Sequence, residues 1–397
     1  MQIPVPFLNA AQAVSGISPG SPSKAMKLTL ERSALLKALS HLHRVVERRN
    51  TIPILSNVLI EAKAGQVEFK ATDLDLEATE VVPADVAVAG ATTVSAHTFH
   101  DIVRKLAEGA QVSLEIAPDT GQLQLRSGRS RFFLQCLPAA DFPDLTAGEF
   151  PHKFQLPAIE LRRLIDNAQF AISTEETRYY LNGIYFHTAE VNGVTMLRAV
   201  ATDGHRLARI EMPAPEGAPG MPGVIAPRKA VGEILKLLED PTKDVTVEIS
   251  PVKARFRLGD VTLTTKLIDG TFPDYNRVIP VGNDKRLIVD KDQFQRAVDR
   301  VSTISSDRGR AIKLSIGDNR MTLSVNNADS GSASEEIEVD YDSTPMDIGF
   351  NSRYLLEIAQ QLSGDTALIK LADPSSPTII MDREGAQALY VLMPLRV

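Results

Sequence analysis

The sequence contains no tryptophan, seven tyrosines and one cysteine among its 397 residues. A lone cysteine cannot close an intrachain disulfide, so no oxidised framework is built into the chain, and a reducing cytoplasm suits it best. Cys136 falls in a strand-like stretch, Phe132 to Leu137, and reads as a buried structural thiol, not a reactive one. The shortage of large aromatics removes the platform on which single-stranded nucleic acid stacks. No apolar run approaches the roughly 18 to 20 residues of a membrane span. Positive charge is scarce as well: the net charge of -7 argues against a surface that grips nucleic acid all over, so any such contact must be local. Acidic residues are missing from Met1 to Ala25, where Lys24 is the only cation. Residues 1–25 lack the early cations and long apolar stretch of a signal peptide, and are read as a disordered leader or extension ahead of a second start at Met26.

The hydrophobic share of 43% can fill the cores of two to four domains. A threefold repeat organises them. Leu28 and Leu30 alternate as in a strand and lead into Leu35, Ala38, Leu39 and Leu42 at helical spacing. At intervals of about 130 residues the pattern returns as Phe154, Leu156, Leu161, Leu164, Ile165 and Ala168, then as Leu287, Val289, Phe294, Ala297, Val298 and Val301. A second landmark, a short strand feeding an amphipathic helix, also occurs three times, over Val94 to Leu106, Val224 to Leu238 and Ile348 to Leu362. Alternating β-rich runs fill the rest, among them Val245 to Ile249, Val261 to Lys266 and Leu389 to Met393. The Pro-rich stretches Pro138 to Pro143 and Pro213 to Pro222 are taken as loops. The fold class is therefore α+β, with three similar domains over 26–150, 151–280 and 281–397, each with two helices backed by antiparallel sheets.

Such a period is too long for common solenoids, and similar domains related by rotation suggest a ring. Twelve helices from two chains, about 9 Å apart, give a circumference of roughly 110 Å and a diameter of about 35 Å. Subtracting one helix width leaves a hole of roughly 24 Å, wide enough for a duplex. Candidate cations for that wall are Lys37, Arg44, Arg48, Arg49, Arg162, Arg163, Arg296, Arg300, Arg308 and Arg310, with Arg104, Lys105, Arg228, Lys229, Lys236 and Arg353 on the second helices. Ordinary solvated helix faces are the alternative reading. His41 and His43 are read as helix-surface residues.

Five motifs carry a family resemblance: Leu197 to Ala208 (LRAVATDGHRLA), Arg178 to Gly183 (RYYLNG), Phe272 to Tyr275 (FPDY), Ser127 to Phe132 (SGRSRF) and the terminal Met393 to Val397 (MPLRV). In their order along the chain they resemble the beta sliding clamp of bacterial replicative DNA polymerase, from Met26 to Val397. The resemblance implies a head-to-tail homodimeric ring around duplex DNA, bound without sequence preference and loaded by an ATP-driven clamp loader. Its implied partners are the polymerase alpha subunit, the loader delta subunit, translesion polymerases and mismatch-repair proteins, with no membrane, cofactor or metal. It also implies a pocket between the second and third domains for a short peptide bearing a glutamine and a leucine-phenylalanine anchor. Carried over by motif, that pocket comprises Leu181, Thr202, Gly204, His205, Arg206, Leu207, Pro273, Arg277, Val278, Val391, Met393, Pro394, Leu395 and Arg396. The apolar members would make a hollow, and His205 and the arginines would offer hydrogen bonds at its rim.

The plainer readings are that Gly204 serves a tight turn, that Pro394 ends an edge strand and that the tail frays. Arg49 matches a DNA-touching loop position, with Arg48 beside it, and Arg104, Arg228 and Lys229 complete the DNA candidates. Glu175 and Glu176 before Arg178 put a second-domain contact in doubt. The implied dimer contact joins Phe132 to Ile304 of the partner chain, flanked by Arg129 and Arg131; Phe132 in a core is the alternative. A hydrolase using Asp203 and His205 with Ser173 or Ser127 lacks a nucleophile elbow, and no Gly-rich phosphate loop or metal-ligand spacing is present. A protein scaffold with no DNA inside is the remaining non-catalytic reading.

Overall fold

Each repeat opens, as its spacing predicts, with a strand that feeds a helix. The computed structural model describes residues 25–116, 119–145, 148–305 and 310–397. The expected leader, apart from Ala25, and Arg308 lie outside the described residues. The helices fall into three pairs: α1 (Arg32–Leu42) with α2 (Ala96–Lys105), α3 (Ala158–Gln169) with α4 (Arg228–Leu237), and α5 (Lys291–Ser302) with α6 (Ser352–Ala359). The first helix of every pair buries the same four-position stripe, Leu35/Ala38/Leu39/Leu42, Leu161/Leu164/Ile165/Ala168 and Phe294/Ala297/Val298/Val301. Three N-termini are capped by side chains, with Ser95, Asp290 and Asn351 accepting from backbone N–H groups.

A cation from the first helix of each pair closes the C-terminal end of the second. Arg32 donates to Val103 O (3.1 Å) and Arg104 O (2.7 Å). Arg162 donates to Leu238 O (3.1 Å) and Leu235 O (3.1 Å), and Lys291 to Leu362 O (3.5 Å). These groups satisfy carbonyls that a helix end leaves open and oppose its negative dipole end. Arg162, counted above among wall cations, is thus committed to a cap.

Two compact units result. The first runs to Lys70 and resumes over Val81–Phe142; the second holds Ala71–Glu80 and Pro143–Val397. In the first, a five-stranded antiparallel sheet has the order Asp85–Val88, Lys27–Glu31, Gln111–Ile116, Leu123–Ser127, Ser130–Leu134. Cys136 is half-buried, not buried as expected; burial pushes its thiol up, so it stays protonated. His43, expected on the helix surface, is half-buried. It stacks on His100 of α2 with ring centroids 3.9 Å apart and meets His97 edge-on at 5.7 Å.

In the second unit, one antiparallel sheet runs Val224–Pro227, Gly183–Val191, Val194–Thr202, Arg206–Pro213, Ala388–Leu392, Thr378–Met381, Thr366–Leu371, Lys285–Asp290. Its fourth and fifth strands pair from Arg206↔Leu392 to Ile210↔Ala388, so the second and third repeats share one sheet. Ala388–Leu392 is therefore an interior strand, and Pro394 does not end an edge. A four-stranded sheet, Gly331–Glu338, Arg320–Asn327, Ala311–Gly317, Met346–Asn351, completes the third repeat. Residues of Ala311–Gly317 alternate between buried and half-buried, the period-2 pattern of a strand with one covered face.

Candidate functional site

Where Val194–Thr202 turns into Arg206–Pro213, short polar side chains bond the turn to itself. Asp203 Oδ1 accepts from the N–H groups of His205 (2.9 Å) and Arg206 (3.1 Å). Thr202 Oγ1 accepts from Gly204 N (3.1 Å) and donates to Arg206 O (2.7 Å). Position 204 favours glycine because its φ is +89°, and a Cβ there would also push aside the end of the Arg178 side chain, 2.5 Å away. Arg178 is itself gripped by both carboxylate oxygens of Glu175, at 2.8 and 2.5 Å. Its charge is matched within the chain. Asp203 is engaged by its own turn and by Arg206 Nε (3.1 Å), not by the His205 ring.

Arg206 was expected at a rim, but its guanidinium is 8% exposed. It donates to Asp203, to Glu357 of α6 and to Phe170 O (2.6 Å) beyond α3. Its plane lies over Tyr354, 4.2 Å from the ring centroid, and 5.0 Å from that of Phe170. Burial works against the Glu357 charge, yet hydrogen bonds from Arg206 and Arg353 hold that carboxyl below the usual range. Arg206 thus ties the turn to α6 and offers nothing to a rim.

Around this tie the apolar side chains grade from floor to rim. Leu181, Leu207 and Val391 are buried in a cluster with Val200, Phe272, Tyr275, Ile379 and Leu389. Val278 is 48% exposed, Met393 39% and Leu395 38%. Pro273 and His205 are exposed, and Arg277 is turned back onto Asp274 at 3.1 Å. The tail does not fray: Met393 N donates to His205 O (2.9 Å) and Leu395 N to Gly349 O (2.8 Å). Arg396 instead lines a separate groove with Lys313, Asn326 and Ser334. An apolar floor with exposed apolar edges and a histidine beside them can accept an extended segment bearing large apolar side chains. Sequence reasoning missed Phe170, Tyr354 and Glu357; the second landmark placed Tyr354 and Glu357 on a helix, but nothing local pointed them at residue 206.

The DNA candidates divide. Arg48, Arg49 and Arg228 are exposed, and Arg104 is exposed with Asp101 3.6 Å away. Lys229 is instead bonded to Asp73 Oδ2 at 2.6 Å, so its charge is already matched. Phe132 is half-buried on the edge strand Ser130–Leu134, whereas its neighbour Phe133 is 56% exposed. Arg129 and Arg131 are exposed. Ile304 is half-buried, and its carbonyl accepts from Asn327 (2.9 Å). Among the described residues no group of His, Cys, Asp and Glu could hold a metal, and no helix is long and apolar enough to cross a membrane.

Three repeats of paired helices backed by antiparallel sheet, with an apolar cluster edged by exposed apolar side chains on the sheet shared by the last two, define a three-domain clamp fold. Family models described as the N-terminal, central and C-terminal domains of the DNA polymerase III beta subunit match residues 26–146, 155–274 and 276–396. The chain belongs to that family. A beta sliding clamp of Caulobacter vibrioides is 54% identical over 372 residues, 94% of this chain and all of the relative. A DnaN sliding clamp from Bartonella birtlesii, solved with griselimycin bound, is 56% identical with a TM-score of 0.91 and covers 94% of this chain and all of its own. A Caulobacter crescentus clamp, 54% identical, has a TM-score of 0.92 over 94% of this chain and 99% of its own.

Proposed function

We propose that this chain works as the sliding clamp of a replicative DNA polymerase: two copies close head to tail around duplex DNA and tether the polymerase by a peptide seated in the hollow on the shared sheet. The observation that carries the reading is the full-length match of three consecutive clamp domains, reinforced by the threefold repeat. The domains divide near residues 150 and 280, close to the breaks between the matched segments. The clamp is a non-catalytic cytoplasmic protein; the loader delta subunit, translesion polymerases and mismatch-repair proteins reach the same hollow. Leu181, Leu207, Val278, Val391, Met393 and Leu395 contact the peptide, while Gly204 and Arg206 hold the turn that shapes it. Arg48 and Arg49, with Arg104 and Arg228, face phosphate. A closed ring explains how an acidic chain retains DNA: linkage prevents escape, while weak screened contacts permit sliding.

The test loads the protein with its clamp loader and ATP onto nicked circular DNA, isolates the complex at moderate salt and linearises the DNA. Loss on linearisation is expected. Retention on DNA with free ends means adhesion, and failure to load favours a scaffold that never encircles DNA.

A further inference from the structure

The segment that carries Pro273, Arg277 and Val278 is held to the shared sheet by a buried polar chain. Tyr275 is buried, and its hydroxyl lies 3.0 Å from Arg198 Nη1 and 3.0 Å from His187 Nε2. Arginine can only donate, so the Tyr275 oxygen accepts from Arg198, which leaves its hydroxyl hydrogen available to His187 Nε2. On the other side of the ring, Nδ1 lies 3.1 Å from Thr188 O, which can only accept. Nδ1 therefore carries the hydrogen, and with Nε2 accepting the Tyr275 hydroxyl the three contacts fit the neutral imidazole in a single tautomer.

The surroundings disfavour a second charge there. Arg198 on the next strand donates to Glu211 Oε2 (2.8 Å), and Arg209 lies 4.0 Å from the same carboxylate, with its Nε buried and without a hydrogen-bond partner. Tyr185 stacks on the ring with centroids 4.7 Å apart and on Phe272 at 4.8 Å. His187 thus meets two phenols and the charge of Arg198, with Glu211 and Arg209 on the far side of that guanidinium. Protonated at Nε2, it would point a second donor at an oxygen already accepting from Arg198 and leave the hydroxyl hydrogen without an acceptor.

We propose that His187 is a positioning residue for the partner hollow: as the neutral acceptor of the Tyr275 hydroxyl it locks the Phe272–Val278 wall to the sheet, and its protonation releases that wall and weakens partner binding. The proposal rests on the reading of the hollow as a peptide site. Burial is the main cause that lowers the His187 pKa, with Arg198 adding to it and the bond to Thr188 opposing it. Because the folded value lies below the unfolded one, the lock is complete above about pH 6.5 and is lost as pH falls through the folded value.

Hydrogen exchange of residues 268–281 in the full-length protein, corrected for intrinsic rates, tests the lock without any partner. Wild type should lose protection between pH 7.5 and 5.5, His187→Gln should not, and Tyr275→Phe should be loose at both. A labelled peptide with a glutamine and a leucine-phenylalanine anchor should bind wild type about fivefold more weakly at the lower pH, the equivalent of one hydrogen bond. His187→Gln keeps an acceptor but takes no proton, so its affinity should hold. Equal protection of wild type at both pH values, or the same loss in His187→Gln, overturns the lock. Absence of peptide binding at pH 7.5 overturns the pocket reading, and with it the effect on partners, whatever the exchange shows.

Discussion

At position 206 a guanidinium that can donate five hydrogen bonds sits between two carboxylates, a backbone carbonyl and two aromatic rings. Removing it takes the cation from Asp203 and leaves Glu357 with Arg353 alone, so Arg206→Ala should cost about 3 kcal/mol, the low end for a buried pair that loses one partner. Met393→Ala removes only a half-exposed thioether from the edge of the hollow and should weaken peptide binding with no change in melting temperature. Calorimetry beside peptide titration separates the two, and an unchanged Tm for Arg206→Ala would contradict the tie described here. The turn around residue 203 was legible in the sequence because Thr-Asp-Gly is turn chemistry with a mechanism. The direction of Arg206 was not, because Phe170 and Glu357 lie 36 and 151 residues away and no local spacing pairs them.

Among elements, the recurrent cation at the end of each second helix is a structural device, and charge counting takes one of the three, Arg162, for a DNA contact. Arg162→Gln should fray the last turn of α4 by about 1 kcal/mol, read as faster exchange at Leu235 to Leu238, and should leave the salt dependence of DNA binding unchanged. A matching loss of DNA affinity would return Arg162 to the wall. The α1–α2 pair carries a different sensitivity. Burial is the largest cause that lowers both His43 and His100, with His97, Arg44 and Arg104 adding to it and Asp101 favouring the charged form of His100. Folded values below unfolded ones mean that their contribution is complete above about pH 6.5 and is lost as pH falls through the folded values. Urea unfolding of the first repeat should therefore weaken between pH 7.5 and 5.5, and His100→Gln should flatten that dependence; an equal slope in the variant would acquit the cluster. Helices and strands were legible from their periods, whereas the sheet shared by the second and third repeats was not. Its pairing of Arg206–Pro213 with Ala388–Leu392 joins distant segments, and alternation says which face a strand buries, not which neighbour it takes.

For the whole molecule the decisive quantity is the net charge of -7, because a chain so acidic can hold a polyanion for long only if closure, not affinity, keeps it there. Head-to-tail closure joins two different surfaces of the same chain, and each unit supplies a sheet with an unpaired end, the strand Ser130–Leu134 in the first and Gly331–Glu338 in the second. Such edges readily pair with another chain. Their charges are complementary, Arg129 and Arg131 on one and Glu335, Glu336 and Glu338 on the other, although Glu335 and Glu336 already bond Arg300 and Arg320 within the chain. If the proposed seam uses this edge, Phe132→Asp sets a carboxylate in it and leaves the second unit, which supplies the residues of the hollow, unchanged. Sedimentation should show monomers, circular DNA should no longer retain the protein, and peptide affinity should equal that of wild type. An intact dimer in this variant would take the strand out of the contact, while a peptide affinity that fell together with the dimer would mean that the substitution disturbs the fold and not the seam.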